Sequence, residues 1–190
     1  MLESLLTEIR QCTVCEPHLP LGANPVIHAH PAAKILIIGQ APGTKVHQTS
    51  IPWNDASGER LRQWLGLDRE AFYCQENIAI MPMGLCYPGK GRSGDLPPRK
   101  ECAPLWHAKV LEQLPNRQLT LLIGQYAQHY YLSDKPSTLT ETVQQWQRWA
   151  PSVLLLPHPS PRNTLWLRNH PWFEQDIVPY LRQRVKQVLT

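Results

Sequence analysis

Nowhere does the chain carry a run approaching the ~18–20 apolar residues that a helical membrane span requires, so that class is excluded. No basic segment followed by an apolar core opens it. Met1 to Arg10 reads instead as an amphipathic helix with Glu3 and Glu8, and no signal peptide is expected. There is no internal repeat, no linker and no low-complexity tail. Charged residues are scarce at 18%, and the five cysteines sit in a chain that looks cytosolic. Disulfides are disfavoured there, so metal binding, redox chemistry or plain burial must account for them.

What is present describes a globular protein with long, stiff loops. The 190 residues suit one compact domain spanning 1–190. A domain of this size buries roughly two-thirds of its unfolded surface and needs no covalent staples. Nineteen prolines cluster between the apolar runs rather than inside them. A net charge of +4 is compatible with a polyanionic partner without being diagnostic of one.

Four short apolar runs have strand length: Lys34–Gly39, Asn77–Met81, Leu119–Gly124 and Ser152–Pro157. Their apolar character is continuous rather than alternating, as in strands covered on both faces. Helical patterns separate them: Gly58–Leu65 with Ser57 as a plausible N-cap, Arg99–Leu114, Gln125–Leu132, and a last helix over Trp172–Leu189. The expected fold is α/β, a three-layer αβα sandwich around a central, mostly parallel four-stranded sheet. Ligands of such sheets bind at the carboxyl ends of the strands. The loops at 39–58, 82–98 and 158–169 therefore hold the candidate site.

Two motifs lie in those loops. Gly39-Gln40-Ala41-Pro42-Gly43 follows the first strand, where glycines let the backbone turn sharply beside a ligand. Alone it reads as an ordinary strand-to-loop turn. His158-Pro159-Ser160-Pro161-Arg162-Asn163 follows the last strand, its prolines stiffening a loop that presents an imidazole, a hydroxyl and a guanidinium.

Together, in this order and strand context, the two motifs resemble those of the uracil-DNA glycosylase superfamily: G-[QE]-[DA]-P-[GYH] after the first strand and H-P-S-P near the C-terminus. The resemblance covers nearly the whole chain and includes Pro52–Gly58, and it is strongest to a bacterial group of about this length. It implies a monomeric, cytoplasmic, nucleoid-associated enzyme that acts on DNA containing a damaged base. Such an enzyme flips a deaminated base, uracil or a related one, into a pocket and hydrolyses its glycosidic bond. By position, Trp53 stacks on the base, His158 stabilises the departing base anion, Gln40 joins His158 in the catalytic set, and Gly39, Ala41, Pro42, Gly43 and Pro82 line the base pocket. Trp53 has the alternative of being a core residue.

The pattern is also broken in places. Neither Gln40 nor Ala41 supplies the carboxylate that some branches carry in the first motif. Asp55 matches a branch with a downstream aspartate and is the candidate for water activation or oxocarbenium stabilisation. Its alternative is a helix N-cap. Pro82 falls where uracil-specific relatives read the base with an asparagine, so the base removed stays open. Arg162 stands where relatives place an apolar wedge. It, Ser160, Asn163, Lys90 and Arg92 are the candidate DNA contacts.

Cys12-x-x-Cys15, Cys86 and Cys102 form a two-plus-two set, with Cys74 outside it. The spacing resembles the iron–sulfur branch of the superfamily, whose thiolates hold a [4Fe–4S] cluster. Zinc would suit the same ligands, and unligated thiols are the third option. Two further functions stand beside the glycosylase: a catalytically silent damaged-DNA or nucleotide-binding module on the same fold, and a hydrolase of free nucleosides. The glycosylase reading expects no lysine nucleophile in the pocket.

Overall fold

The computed structural model describes all 190 residues. In chain order the elements are α1 (Leu2–Arg10), β1 (Ile35–Ile38), α2 (Thr44–Thr49), α3 (Ala56–Leu65), α4 (Arg69–Phe72) and β2 (Ile78–Ile80). A small hairpin, β3 (Lys90–Gly91) and β4 (Gly94–Asp95), follows, then α5 (Cys102–Glu112), β5 (Leu119–Ile123), α6 (Gln125–Tyr131) and α7 (Leu139–Gln144). The chain closes with β6 (Val153–Leu156), α8 (Thr164–Asn169) and α9 (Val178–Leu189).

All four expected strands form, and they pair in parallel in the order β2-β1-β5-β6. Ile35 sits opposite Ile78 on one side and Leu119 on the other, and Ile123 pairs with Leu156. Every residue of β1 and β2 is buried, which explains their unbroken apolar runs. The step from β1 to β2 and the step from β2 to β5 run in opposite directions across the sheet. Right-handed crossovers therefore place α3 and α5 on opposite faces. α9 packs on α3 and α1 on α5, giving the three layers. The exposed edge of β2 is covered by an antiparallel bridge in which His28 and Ile80 exchange both backbone hydrogen bonds.

The boundaries differ from expectation for local reasons. α3 starts at Ala56, not Gly58, and its N-cap is Asp55, not Ser57. The Asp55 carboxylate accepts the Gly58 N–H at 2.9 Å, and Ser57 lies inside the first turn. α5 starts at Cys102 rather than Arg99. Pro104 then falls in its first turn, where a missing N–H is harmless. The last helix divides at Pro179: the segment Phe173–Ile177 is a π-helical turn, because the proline has no N–H to close a regular one. The hairpin and the short helices α2, α4, α7 and α8 occupy segments that carried no element in the sequence pattern.

Candidate active site and cysteine cluster

Because β1 leads toward one edge of the sheet and β5 toward the other, a crevice opens above their carboxyl ends. A cavity of about 580 Å³ lies there. Gly39, Gln40, Ala41, Pro42 and Gly43 line it after β1, with Trp53 and Asp55 further along that connection. Pro82 enters after β2, Lys90 from the hairpin, and His158, Ser160, Arg162 and Asn163 after β6. Arg92, exposed on the turn of the hairpin, is outside the lining.

The first loop is stitched to the end of β2: the carbonyls of Gly39 and Gln40 accept the N–H groups of Met83 and Gly84. Trp53 follows with φ at +59°, a costly conformation for a bulky residue. It is held by three neighbours. Arg62, itself only 5% exposed, donates to the Trp53 carbonyl at 3.1 Å and to the Tyr73 hydroxyl at 3.3 Å. The indole lies against the α-carbon of Gly39, and the Trp53 carbonyl occupies the space a side chain at Gly58 would need.

His158 faces this indole with ring centroids 5.6 Å apart. Its Nδ1 accepts the backbone N–H of Ser160 at 3.1 Å, so the proton of the neutral ring sits on Nε2. Burial lowers its pKa to about 4, against an opposing pull from Asp55. The ring is thus a neutral donor at physiological pH. Asn163 braces the same loop by donating to the His158 carbonyl at 2.7 Å, and Ser160 Oγ accepts the Arg162 N–H. The Arg162 guanidinium reaches across to the hairpin and donates to the Ser93 carbonyl. It packs against Gly94, where a β-carbon would stand 2.7 Å from Nη1 and where the φ of +122° favours glycine.

Pro82 brings a backbone group in place of an amide side chain, and that group is already engaged. Its carbonyl accepts from Nε2 of the buried His107 at 3.0 Å, while Tyr131 bonds Nδ1 on the other side of the ring. Several lining residues escaped the sequence analysis. Gln125 and Tyr126 follow β5, and the carboxyl-end rule applied to that strand would have found them. Ser93, Gly94 and Asp95 come from the hairpin, whose two-residue strands leave no periodic signal. Lys90, one of the candidate DNA contacts, lines the cavity while itself exposed, and lies outside both loop motifs.

Cys12, Cys15, Cys86 and Cys102 line one second cavity between the α1 end and α5. Burial pushes the Cys86 thiol up to about 11 and that of Cys102 up to about 12. Cys102 Sγ accepts the Leu85 N–H at 3.3 Å, and Cys15 bonds Glu101, which is paired with Arg99. Trp106 lines the same cavity with its buried indole N–H unpartnered. Such a donor suits a sulfur-rich, anionic group, so the residues fit a thiolate-held cofactor. No three His, Cys, Asp or Glu side chains converge tightly enough to hold a single metal ion.

A profile described as the uracil DNA glycosylase superfamily matches residues 27–182. That span takes in the whole sheet and the crevice, and leaves Cys12 and Cys15 outside. The type-4 uracil-DNA glycosylase of Thermotoga maritima is 22% identical over 162 residues, covering 84% of this chain and 82% of its own. A solution NMR structure of a candidate uracil DNA glycosylase from Methanosarcina acetivorans aligns with a TM-score of 0.46 and 16% identity. That alignment covers 82% of this chain and 93% of the other. With its profile matched across the sheet and both loop motifs, the chain belongs to the uracil DNA glycosylase superfamily.

Proposed function

We propose that this chain is a monofunctional DNA base-excision glycosylase that acts, as a monomeric single domain, on uracil or a related deaminated base. The observation that carries the reading is the pairing of a neutral, Nε2-protonated His158 with the oriented carboxylate of Asp55 on one cavity walled by Trp53. A flipped base stacks on the indole. As the glycosidic bond lengthens, negative charge gathers on the base and the Nε2–H of His158 donates to it. Asp55, fixed by the Gly58 N–H, faces the positive charge that develops on the sugar. Gln40 offers an amide with both a donor and an acceptor to the base edge, a task Pro82 cannot share.

Lys90, Arg92, Ser160, Arg162 and Asn163 form the grip on the phosphate backbone around the mouth. Lys90 is exposed and lacks the desolvation that turns a lysine into a nucleophile, which supports simple hydrolysis over a covalent imine route. No helix is long and apolar enough to cross a membrane. For the cysteines we favour a [4Fe–4S] cluster over zinc. Four thiols share one cavity, the Leu85 N–H meets Cys102 Sγ, and the unpartnered Trp106 N–H is free to donate to sulfide. Bound there, such a cluster supplies a cross-link that ties the N-terminal segment to the 86–102 loop and α5.

A silent binding module remains the rival, favoured by Gln40 and Ala41 standing where other branches carry a carboxylate. The deciding experiment is base release from end-labelled oligonucleotides carrying uracil, hypoxanthine or xanthine, single- and double-stranded. Wild type is run beside Asp55→Asn and His158→Ala. Abasic product from at least one lesion, reduced about a hundredfold or more in His158→Ala and Asp55→Asn, is the expected result. Tight binding of these oligonucleotides with no abasic product from any of them selects the silent module.

A further inference from the structure

One oxygen of the Asp55 carboxylate is already committed to capping α3. Hydrolysis needs a second task done, the removal of a proton from the attacking water. The hairpin supplies another carboxylate. Asp95 lines the cavity and sets its Oδ2 against the first motif, 3.6 Å from where a β-carbon of Gly43 would stand. Gly43 thus leaves a gap beside this oxygen, and Asp95 forms no ion pair despite the cations near it.

We propose that Asp95 is a second catalytic carboxylate, the general base that holds and deprotonates the water attacking the sugar; this rests on the glycosylase reading above. The water oxygen bonds to C1′ as the C1′–N bond breaks. The bonding pair leaves with the base, which His158 Nε2–H stabilises, and the water proton passes to the Asp95 carboxylate. The products are the abasic sugar hydroxyl and, after protonation from solvent, the free base.

Four groups set the charge environment of Asp95. Lys90 sits directly opposite on the hairpin, Arg162 comes from the loop after β6, Asp55 from the cap of α3 and Tyr87 from the loop that leads from β2 into the hairpin. Partial burial and Asp55 raise the Asp95 carboxyl above its ordinary value, while Lys90 and Arg162 oppose them. The net effect is upward, which makes Asp95 a better proton acceptor than an ordinary surface carboxylate. Arg162 bonding to the Ser93 carbonyl ties the backbone of the hairpin that carries Asp95 to the loop after β6.

The test is single-turnover base release across pH by wild type, Asp95→Asn and Asp95→Glu on a uracil oligonucleotide. Affinity for the same strand carrying a hydrolysis-resistant 2′-fluorinated uracil nucleotide is measured alongside. Asp95→Asn is expected to lose at least about a hundredfold in rate, with a flattened acid limb, while affinity stays within about threefold; Asp95→Glu recovers part of the rate. A rate within about twofold of wild type overturns the proposal. So does a defect confined to affinity, which would make the hairpin a DNA grip alone. In either case an active wild type leaves the glycosylase reading standing, whereas a wild type inactive on every lesion overturns both.

Discussion

The indole of Trp53 rests on the bare α-carbon of Gly39, so close that a β-carbon there would lie 2.7 Å from Cζ2. The glycine of the first motif is therefore needed by a neighbouring side chain and not only by a ligand. Gly39→Ala is expected to fold, since the indole is half-buried at a cavity wall and can shift outward. Its displacement disturbs the surface on which the base stacks. We expect KM for a damaged oligonucleotide to rise by about tenfold, worth roughly 1.4 kcal/mol, with a loss of at most a degree or two in Tm. Steady-state kinetics beside a thermal melt check this. An unchanged KM would show that Trp53 does not contact the base.

A second prediction concerns acid stability. His107 is 1% exposed between Pro82 and Tyr131, and burial lowers its pKa from 6.5 to about 4. Between those values the unfolded chain binds a proton that the folded chain refuses. Stability is therefore full above about pH 6.5 and falls as the pH drops toward 4. The change for this residue is up to roughly 3 kcal/mol over the window. Urea denaturation midpoints measured from pH 7 to pH 4 should decline steeply in wild type and less steeply in His107→Gln. Equal slopes would remove His107 as the cause.

The cysteine cavity gives a third. Protein purified without oxygen is expected to carry visible absorption and bound iron, both lost in Cys102→Ser. That variant, and wild type treated with oxidant and chelator, should melt several degrees lower because α1 and the 86–102 loop lose their shared anchor. Trp106→Phe keeps the thiols but removes the unpartnered N–H, so it should retain iron with an altered absorption spectrum. Stoichiometric zinc without iron would select the alternative metal.

Much of this protein was legible before any coordinates. The runs at Ile35–Ile38 and Leu119–Ile123 are continuous because the strands are covered on both faces, and burial on that scale writes itself into local composition. Turn chemistry is equally local, so the loops after β1 and β6 announced the crevice. The four cysteines that meet in one cavity were grouped by spacing alone.

What only the tertiary structure decided depends on loops folding back over long stretches of sequence. Asp55 serves as helix cap and faces the crevice at once, a double duty that residue type does not reveal. The proton of His158 sits on Nε2 because one backbone N–H happens to point at Nδ1. Arg162 is tied to Ser93, 69 residues away, and Asp95 arrives over Gly43 on a hairpin too short to leave a pattern. Periodicity and turn residues report how each segment meets solvent, whereas catalytic geometry is set by contacts between segments, which no single stretch encodes.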